Sequence, residues 1–180
     1  SITGAPGGEP VRVGSSIGDL SAALFSVIGI LAALTRAQKS GVGQQVDVSM
    51  LDCQVALLEN AISRYYVTGE VPGPLGSRHP SITPFQFFRA ADGYVVVAAG
   101  NDTLWRKLCE SVGAPELTHD ARFASNALRT ENQAVLEPLL EAAFSRRGVA
   151  EWEEVLGAAG VPCGPIRTVQ GVVEDPQVRA

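Results

Sequence analysis

Between residues 70 and 84 the chain reads EVPGPLGSRHPSITP, with four prolines and two glycines, and Gly69 stands just before it. Proline fixes φ and removes a backbone donor, and glycine favours turns, so neither a helix nor a central strand runs through such a segment. Whatever this chain folds into is therefore assembled from a block on each side, and the segment between them is a domain boundary or a functional loop.

The first block opens irregularly, with SITGAPGGEPVRVGSS rich in Gly, Ser and Pro. Over 19–39, Leu20, Leu24, Val27, Ile28, Leu31 and Leu34 recur at three- and four-residue intervals with Ala at many other positions, which predicts a helix buried on most sides. Gly41 and Gly43 supply its stop. Next, QQVDVSM alternates polar and apolar residues as a strand does, and LDCQVALLENAISRYYVTG resumes helical spacing as far as Gly69. Helix, strand, helix predicts an α/β layer.

In the second block, FQFFRAADGYVVVAAG places two β-rich runs around Ala-Asp-Gly and predicts a hairpin. Helices are expected around Leu104, Trp105 and Leu108, over 132–144, and over 149–159 with Gly160 as the stop. In GVPCGPI the chain is expected to turn at Pro162 and Gly164.

Composition excludes several roles. At 180 residues and 46% hydrophobic content, the chain can bury a core as one domain or two small ones. A net charge of -5, from 14 basic and 19 acidic residues, leaves no basic stripe, so neither nucleic acid nor an anionic membrane is an expected partner. The longest apolar run, over 22–34, is broken by Ser26 and Gly29 and falls short of the roughly 20 residues a bilayer span needs, so no transmembrane helix is expected. Cys53, Cys109 and Cys163 lie far apart without CxxC or Cys/His spacing, and His79 and His119 stand alone, so neither a zinc site nor a disulfide framework is expected. That cysteine usage fits a reducing compartment, the cytoplasm, with the mitochondrial matrix also compatible. No phosphate-cradling or dinucleotide fingerprint is present, TGEVPG included.

Two stretches offer chemistry. Asp19 in RVGSSIGDLSAAL stands where a helix should begin, and Asp there is an ordinary N-cap whose carboxylate accepts backbone N–H bonds. The same place suits a carboxylate nucleophile, because the positive end of a helix favours an anion. Both readings stand on the residues alone. The loop LGSRHPS combines a glycine, a cation, an imidazole and two hydroxyls. Read plainly it is an exposed turn; read functionally, Gly76 allows close backbone approach to a ligand, Arg78 and His79 offer charge and hydrogen bonds, and the loop can close as a lid. Arg64, Tyr65 and Tyr66 fit helix packing better than a cleft, and Cys163 fits a structural turn better than a reactive thiol.

Taken in order, SIGDLSAALFSVIGILAALTR, SGVGQQVDVSMLD, GSRHPSITPFQFF, ADGYVVVAAGN and AGVPCGPI resemble the class III CoA-transferase family, also called CaiB/BaiF, over essentially all of the chain. The resemblance implies a fragment of a two-domain fold about twice this length. Residues 1–70 would be part of a Rossmann-like large domain carrying the nucleophile, 71–165 a small α+β domain, and 166–180 the start of a return linker. It implies that Asp19 attacks an acyl-CoA thioester to give a mixed anhydride and then an aspartyl-CoA thioester, from which a carboxylic acid takes the CoA. Coenzyme A enters as acyl-CoA substrate and no cofactor stays bound. The partners are then the acyl-CoA and the acid, and the resemblance further implies an interlocked homodimer. The family's glycine-rich loop falls at GSRHPS, and its form here is similar to that of transferases acting on dicarboxylic acyl groups, which points to Gly76, Arg78 and His79 as substrate-binding. Two rival readings remain. In the α-methylacyl-CoA racemases of the same family the matching aspartate serves proton transfer, although their segment typically reads like LDGGAPFY where this chain has RHPSITPFQ. In the other, the 180 residues are a non-catalytic assembly module with Asp19 as a cap.

Overall fold

A computed structural model describes all residues 1–180. The chain divides into two compact units, Ser1–Gly76 and Ser77–Ala180.

The first unit is helical. Helix α1 runs Ile17–Ser40 and ends on Gly41, whose left-handed φ of 70° turns its N–H to Ala37 O at 2.8 Å. Helices α2 (Met50–Ala56) and α3 (Asn60–Thr68) follow, α2 capped by the Ser49 hydroxyl accepting from Asp52 N–H at 3.2 Å. Where one helix is expected to run as far as Gly69, the ladder breaks. Leu58 and Glu59 turn their N–H groups to carbonyls three residues back, Val55 and Ala56, and Glu59 adopts φ 48°.

Two further expectations are corrected here. Residues 46–49 form no strand: the only sheet lies in the other unit, and within this unit the segment finds no strand to pair with. Nor is α1 buried on most sides. Its small residues Gly18, Ala22, Ser26, Gly29, Ala33 and Ala37, spaced three and four apart, form with Ser21 the less exposed face, and only Ser21 is buried. There the approach is close: a Cβ on Gly29 would lie 2.8 Å from Val46 Cγ1, and one on Gly18 would meet the Gln54 amide. The large aliphatic residues point the other way, with Leu24 66% and Ile28 63% exposed.

Only the premise of the membrane expectation, a run too short to span, is corrected: α1 is long and apolar enough to cross a bilayer by length and composition, a test that the core helix of a soluble protein passes as well. Ser26 and Gly29 interrupt the apolar letters but not the helix, since the Ser26 hydroxyl donates to Ala22 O at 2.7 Å and Gly29 seats Val46.

The second unit holds the core. Strands β1 (Phe85–Arg89) and β2 (Tyr94–Ala98) form the expected hairpin, with Phe87 opposite Val96 and the turn closed by Ala90 N–H to Gly93 O at 2.9 Å. Period-2 alternation sends Gln86, Phe88, Val95 and Val97 inward and leaves Phe85, Phe87 and Tyr94 outside. Against the inner face pack α4 (Asp102–Ser111), α6 (Gln133–Phe144) and α7 (Val149–Ala159), while α5 (Asn126–Glu131) adds no apolar side chain to the core and buries only Arg129. Phe144 stacks on Phe88 at 4.6 Å and meets Trp152 at 5.0 Å, and the Trp152 indole donates to Phe144 O at 2.8 Å. Asp92, the hairpin's turn residue, caps α7 by accepting from Val149 N–H at 2.8 Å. The expected turn at Pro162 and Gly164 is instead a third strand, β3 (Cys163–Pro165), antiparallel to β2, since β2 offers it a free edge. Short helices α8 (Val169–Glu174) and α9 (Pro176–Arg179) complete the unit.

Candidate functional site

The four sequence-predicted residues fall into two sets. Asp19 and Gly76 belong to the first unit, Arg78 and His79 to the second.

Asp19 is the third residue of α1, inside the first turn, and not the cap. The cap position is Ser16, which makes no side-chain bond to the helix. Asp19 is exposed and pairs with no cation. What the helix offers is the positive end of its dipole and freedom for the carboxylate to meet a ligand. Gly18 beside it makes room for Gln54 of α2. The open apolar recess between α1 and α2, lined by Phe25, Ile28, Val46, Asp52 and Cys53, does not include Asp19.

Gly76 has φ 67° and gives its N–H to Gly4 O at 2.9 Å. A Cβ there would touch Pro6 Cδ at 3.3 Å, so this glycine serves the close return of the chain onto its own beginning.

Arg78 is engaged. Its guanidinium pairs with Glu137 of α6, whose Oε1 also accepts from Gln86 Nε2 at 2.8 Å, while Gln86 Oε1 accepts from Gln133 at 2.9 Å. The cation is thus balanced by a carboxylate that a buried glutamine holds in place. His79 is held differently. Its ring lies parallel to Phe85, 5.3 Å between centroids, its backbone N–H donates to Phe85 O at 2.9 Å, and its Nδ1 accepts from Ser81 N–H at 3.1 Å. An accepting Nδ1 puts the proton of the neutral ring on Nε2, leaving one fixed N–H donor for a partner.

Sequence reasoning passed over Glu137 and Gln86. For Gln86 a signal existed, since alternation in FQFFR puts it on the face of Phe88, and a polar side chain at an inward position requires partners. Glu137 lies in an ordinary helical stretch and nothing local marks it.

The sequence model of CoA-transferase family III matches residues 1–180, and the chain belongs to that family. It is 41% identical to acetyl-CoA:oxalate CoA-transferase of Acetobacter aceti over 99% of this chain and 46% of that protein. It is 34% identical to succinate–glutarate CoA-transferase of Agrobacterium fabrum over 100% of this chain and 45% of that one. Among solved structures, a CaiB/BaiF family protein from Brucella suis matches with a TM-score of 0.80 at 38% identity, covering 99% of this chain and 47% of that chain. The chain therefore spans about half the length of the curated relatives it matches and has the fold of that part of the two-domain proteins.

Proposed function

We propose that the whole protein transfers CoA from an acyl-CoA thioester to a carboxylic acid, with Asp19 as the covalent nucleophile. The observation that carries this reading is Asp19 itself: a carboxylate at the positive end of α1, exposed, unpaired and released from capping, in a chain of CoA-transferase family III. An Asp19 oxygen attacks the thioester carbonyl and expels CoA thiolate, leaving a mixed anhydride. The thiolate attacks the aspartyl carbonyl, and the donor acid departs as its carboxylate. The acceptor carboxylate then attacks the aspartyl-CoA thioester, the thiolate leaves again, and its attack on the acceptor's acyl carbon returns Asp19 as a carboxylate. No water is consumed, and one slow exchange is divided into easier steps.

Dicarboxylic substrates fit best. Relatives named for oxalate, glutarate and D-citramalate share two carboxylates or more, and the loop of this chain holds a cation and a fixed N–H donor. In this reading His79 Nε2–H meets a substrate carboxylate, and Arg78, already balanced by Glu137, contributes through its remaining N–H groups. The long helix α1 is then a core helix of the whole protein, which is a cytoplasmic homodimer.

The test mixes the whole protein with succinyl-CoA or acetyl-CoA, quenches with hydroxylamine and maps the modified peptide by mass spectrometry. Modification at Asp19 is expected, with turnover lost in Asp19→Asn. Modification at another carboxylate, or an active Asp19→Asn enzyme, overturns the role of Asp19. Exchange of the substrate's α-proton with deuterated water in the absence of any acceptor acid would point to racemase chemistry instead.

A further inference from the structure

Residues 77–84 contain no helix or strand, yet the side chains of one short helix hold them at four points. Asn126, at the start of α5, uses both ends of its amide: Nδ2 donates to Ser81 O at 2.7 Å, and Oδ1 accepts from Thr83 N–H at 3.0 Å. One turn on, Arg129 Nε donates to Thr83 O at 2.9 Å, and the Thr130 hydroxyl meets the Thr83 hydroxyl at 3.0 Å. Arg129 is fully buried and its anchoring continues inward. Its other nitrogens donate to Phe123 O at 3.0 Å and Asp102 Oδ1 at 2.9 Å, and its guanidinium lies 5.1 Å from the Trp105 ring centre. Thr83 and Pro84 are themselves buried.

A buried arginine with four such partners has one geometry, since moving it would strand a charge and several carbonyls without hydrogen bonds. The loop it grips inherits that geometry. Sequence reasoning expected a loop able to close as a lid; the structure instead ties its C-terminal half to the core, two to five residues beyond His79.

We propose that Asn126, Arg129 and Thr130 are positioning residues that hold the Arg78–His79 loop pre-formed, and so set the affinity for the carboxylic acid substrate without touching it. This rests on the CoA-transfer reading. A loop ordered in advance costs the incoming acid no ordering entropy, so loosening it weakens acid binding while leaving steps that depend on Asp19 alone unchanged.

The experiment uses the whole protein with succinyl-CoA as donor and glutarate or oxalate as acceptor, and reads amide hydrogen exchange at Thr83 alongside steady-state kinetics. In Asn126→Ala the Thr83 amide should exchange about tenfold faster or more, the KM for the acid should rise about tenfold, and kcat and the KM for succinyl-CoA should stay within about twofold. Thr130→Val should show the same pattern more weakly, and Thr130→Ser, which keeps the hydroxyl, should restore the parent values. Unchanged exchange at Thr83 in Asn126→Ala overturns the clamp. Faster exchange with both KM values unchanged, or with both raised alike, overturns its role in acid recognition. Should the parent protein show no CoA exchange with either acid while Asn126→Ala still loosens Thr83, the CoA-transfer reading fails and the clamp survives as structure alone.

Discussion

The two units share a chain and a similar supply of apolar residues, yet one builds a core and the other does not. In Ser77–Ala180, Phe88, Val95, Val97, Leu108, Phe123, Phe144 and Leu156 are fully buried. In Ser1–Gly76 only Ser21, Cys53 and Ala61 are buried, and the largest aliphatic side chains of α1 face solvent. The difference is which side chains meet their neighbours. Along α1 the contact face is made of Gly, Ala and Ser, which lets backbones approach but buries little area. In the second unit a three-stranded sheet offers a wide face, and three helices, α4, α6 and α7, lay aromatic and branched side chains across it. Hydrophobic content counts what a chain can bury; the partner surface decides what it does bury.

The largest expected effect comes from cutting the built core. Phe144→Ala removes the ring that joins Phe88 to Trp152 and should cost about 4 kcal/mol. Leu24→Ala, at a site 66% exposed, should cost less than about 0.5 kcal/mol. Both are measured by urea unfolding of the 180-residue chain. Trp105 and Trp152 both lie in the second unit, so tryptophan fluorescence reports that unit and far-ultraviolet circular dichroism reports the helices of both. Equal costs for the two variants would break the contrast, because they would mean that the outer face of α1 is covered.

Next comes Arg129→Met, which keeps an apolar stem but leaves Thr83 O and Phe123 O without their donor. A loss of about 3 kcal/mol is expected, at the low end for a broken buried pair because Asp102 is 65% exposed and can turn to water. A cost below about 1 kcal/mol would show that water replaces the guanidinium, and with it that the second unit is less tightly closed than its packing implies.

The thiols sharpen the comparison further. Burial pushes the Cys109 thiol from 9.0 up to about 12, and the same cause, with Glu153 nearby, raises Cys163. At high pH the unfolded chain sheds the Cys109 proton while the folded chain keeps it. Stability from this group is therefore fully present below 9.0 and falls as pH rises toward about 12. In native-state alkylation at pH 8, Cys109 should react only as fast as the second unit opens. Cys53, in a unit with almost no core of its own, should react at least about tenfold faster. Equal rates would place both thiols in one cooperative unit.

What the sequence showed depended on whether the deciding contact was local. The hairpin at FQFFRAADGYVVVAAG and the helix ending at Gly160 were legible because alternation, turn residues and a terminal glycine act within a few positions. The segment QQVDVSM alternates as a strand should, but a strand exists only through its neighbour, and its own unit supplies none. For the same reason Cys163–Pro165 looked like a turn until the free edge of β2 was known. In the candidate site, Asp19 and the Arg78–His79 loop were visible as residue types, whereas Glu137 and Asn126 act across 59 and 45 residues of sequence and left no local mark.

The smallest expected effect on stability belongs to Asp19, and its smallness is what makes it informative. A capping aspartate would cost about 1 kcal/mol on replacement by alanine, because an orphan backbone donor would lose its acceptor. Here Asp19 sits inside the first turn and makes no cap bond, so only its interaction with the helix dipole is lost. Asp19→Ala should then cost about 0.5 kcal/mol or less, with the loss shrinking further in high salt. Asp19→Asn should be closer still to the parent. Under the proposed function both variants of the whole protein lose nearly all turnover, so stability and activity separate at this one residue. A loss near 1 kcal/mol that salt does not screen would return Asp19 to the role of a cap and remove the freedom on which its part as nucleophile depends.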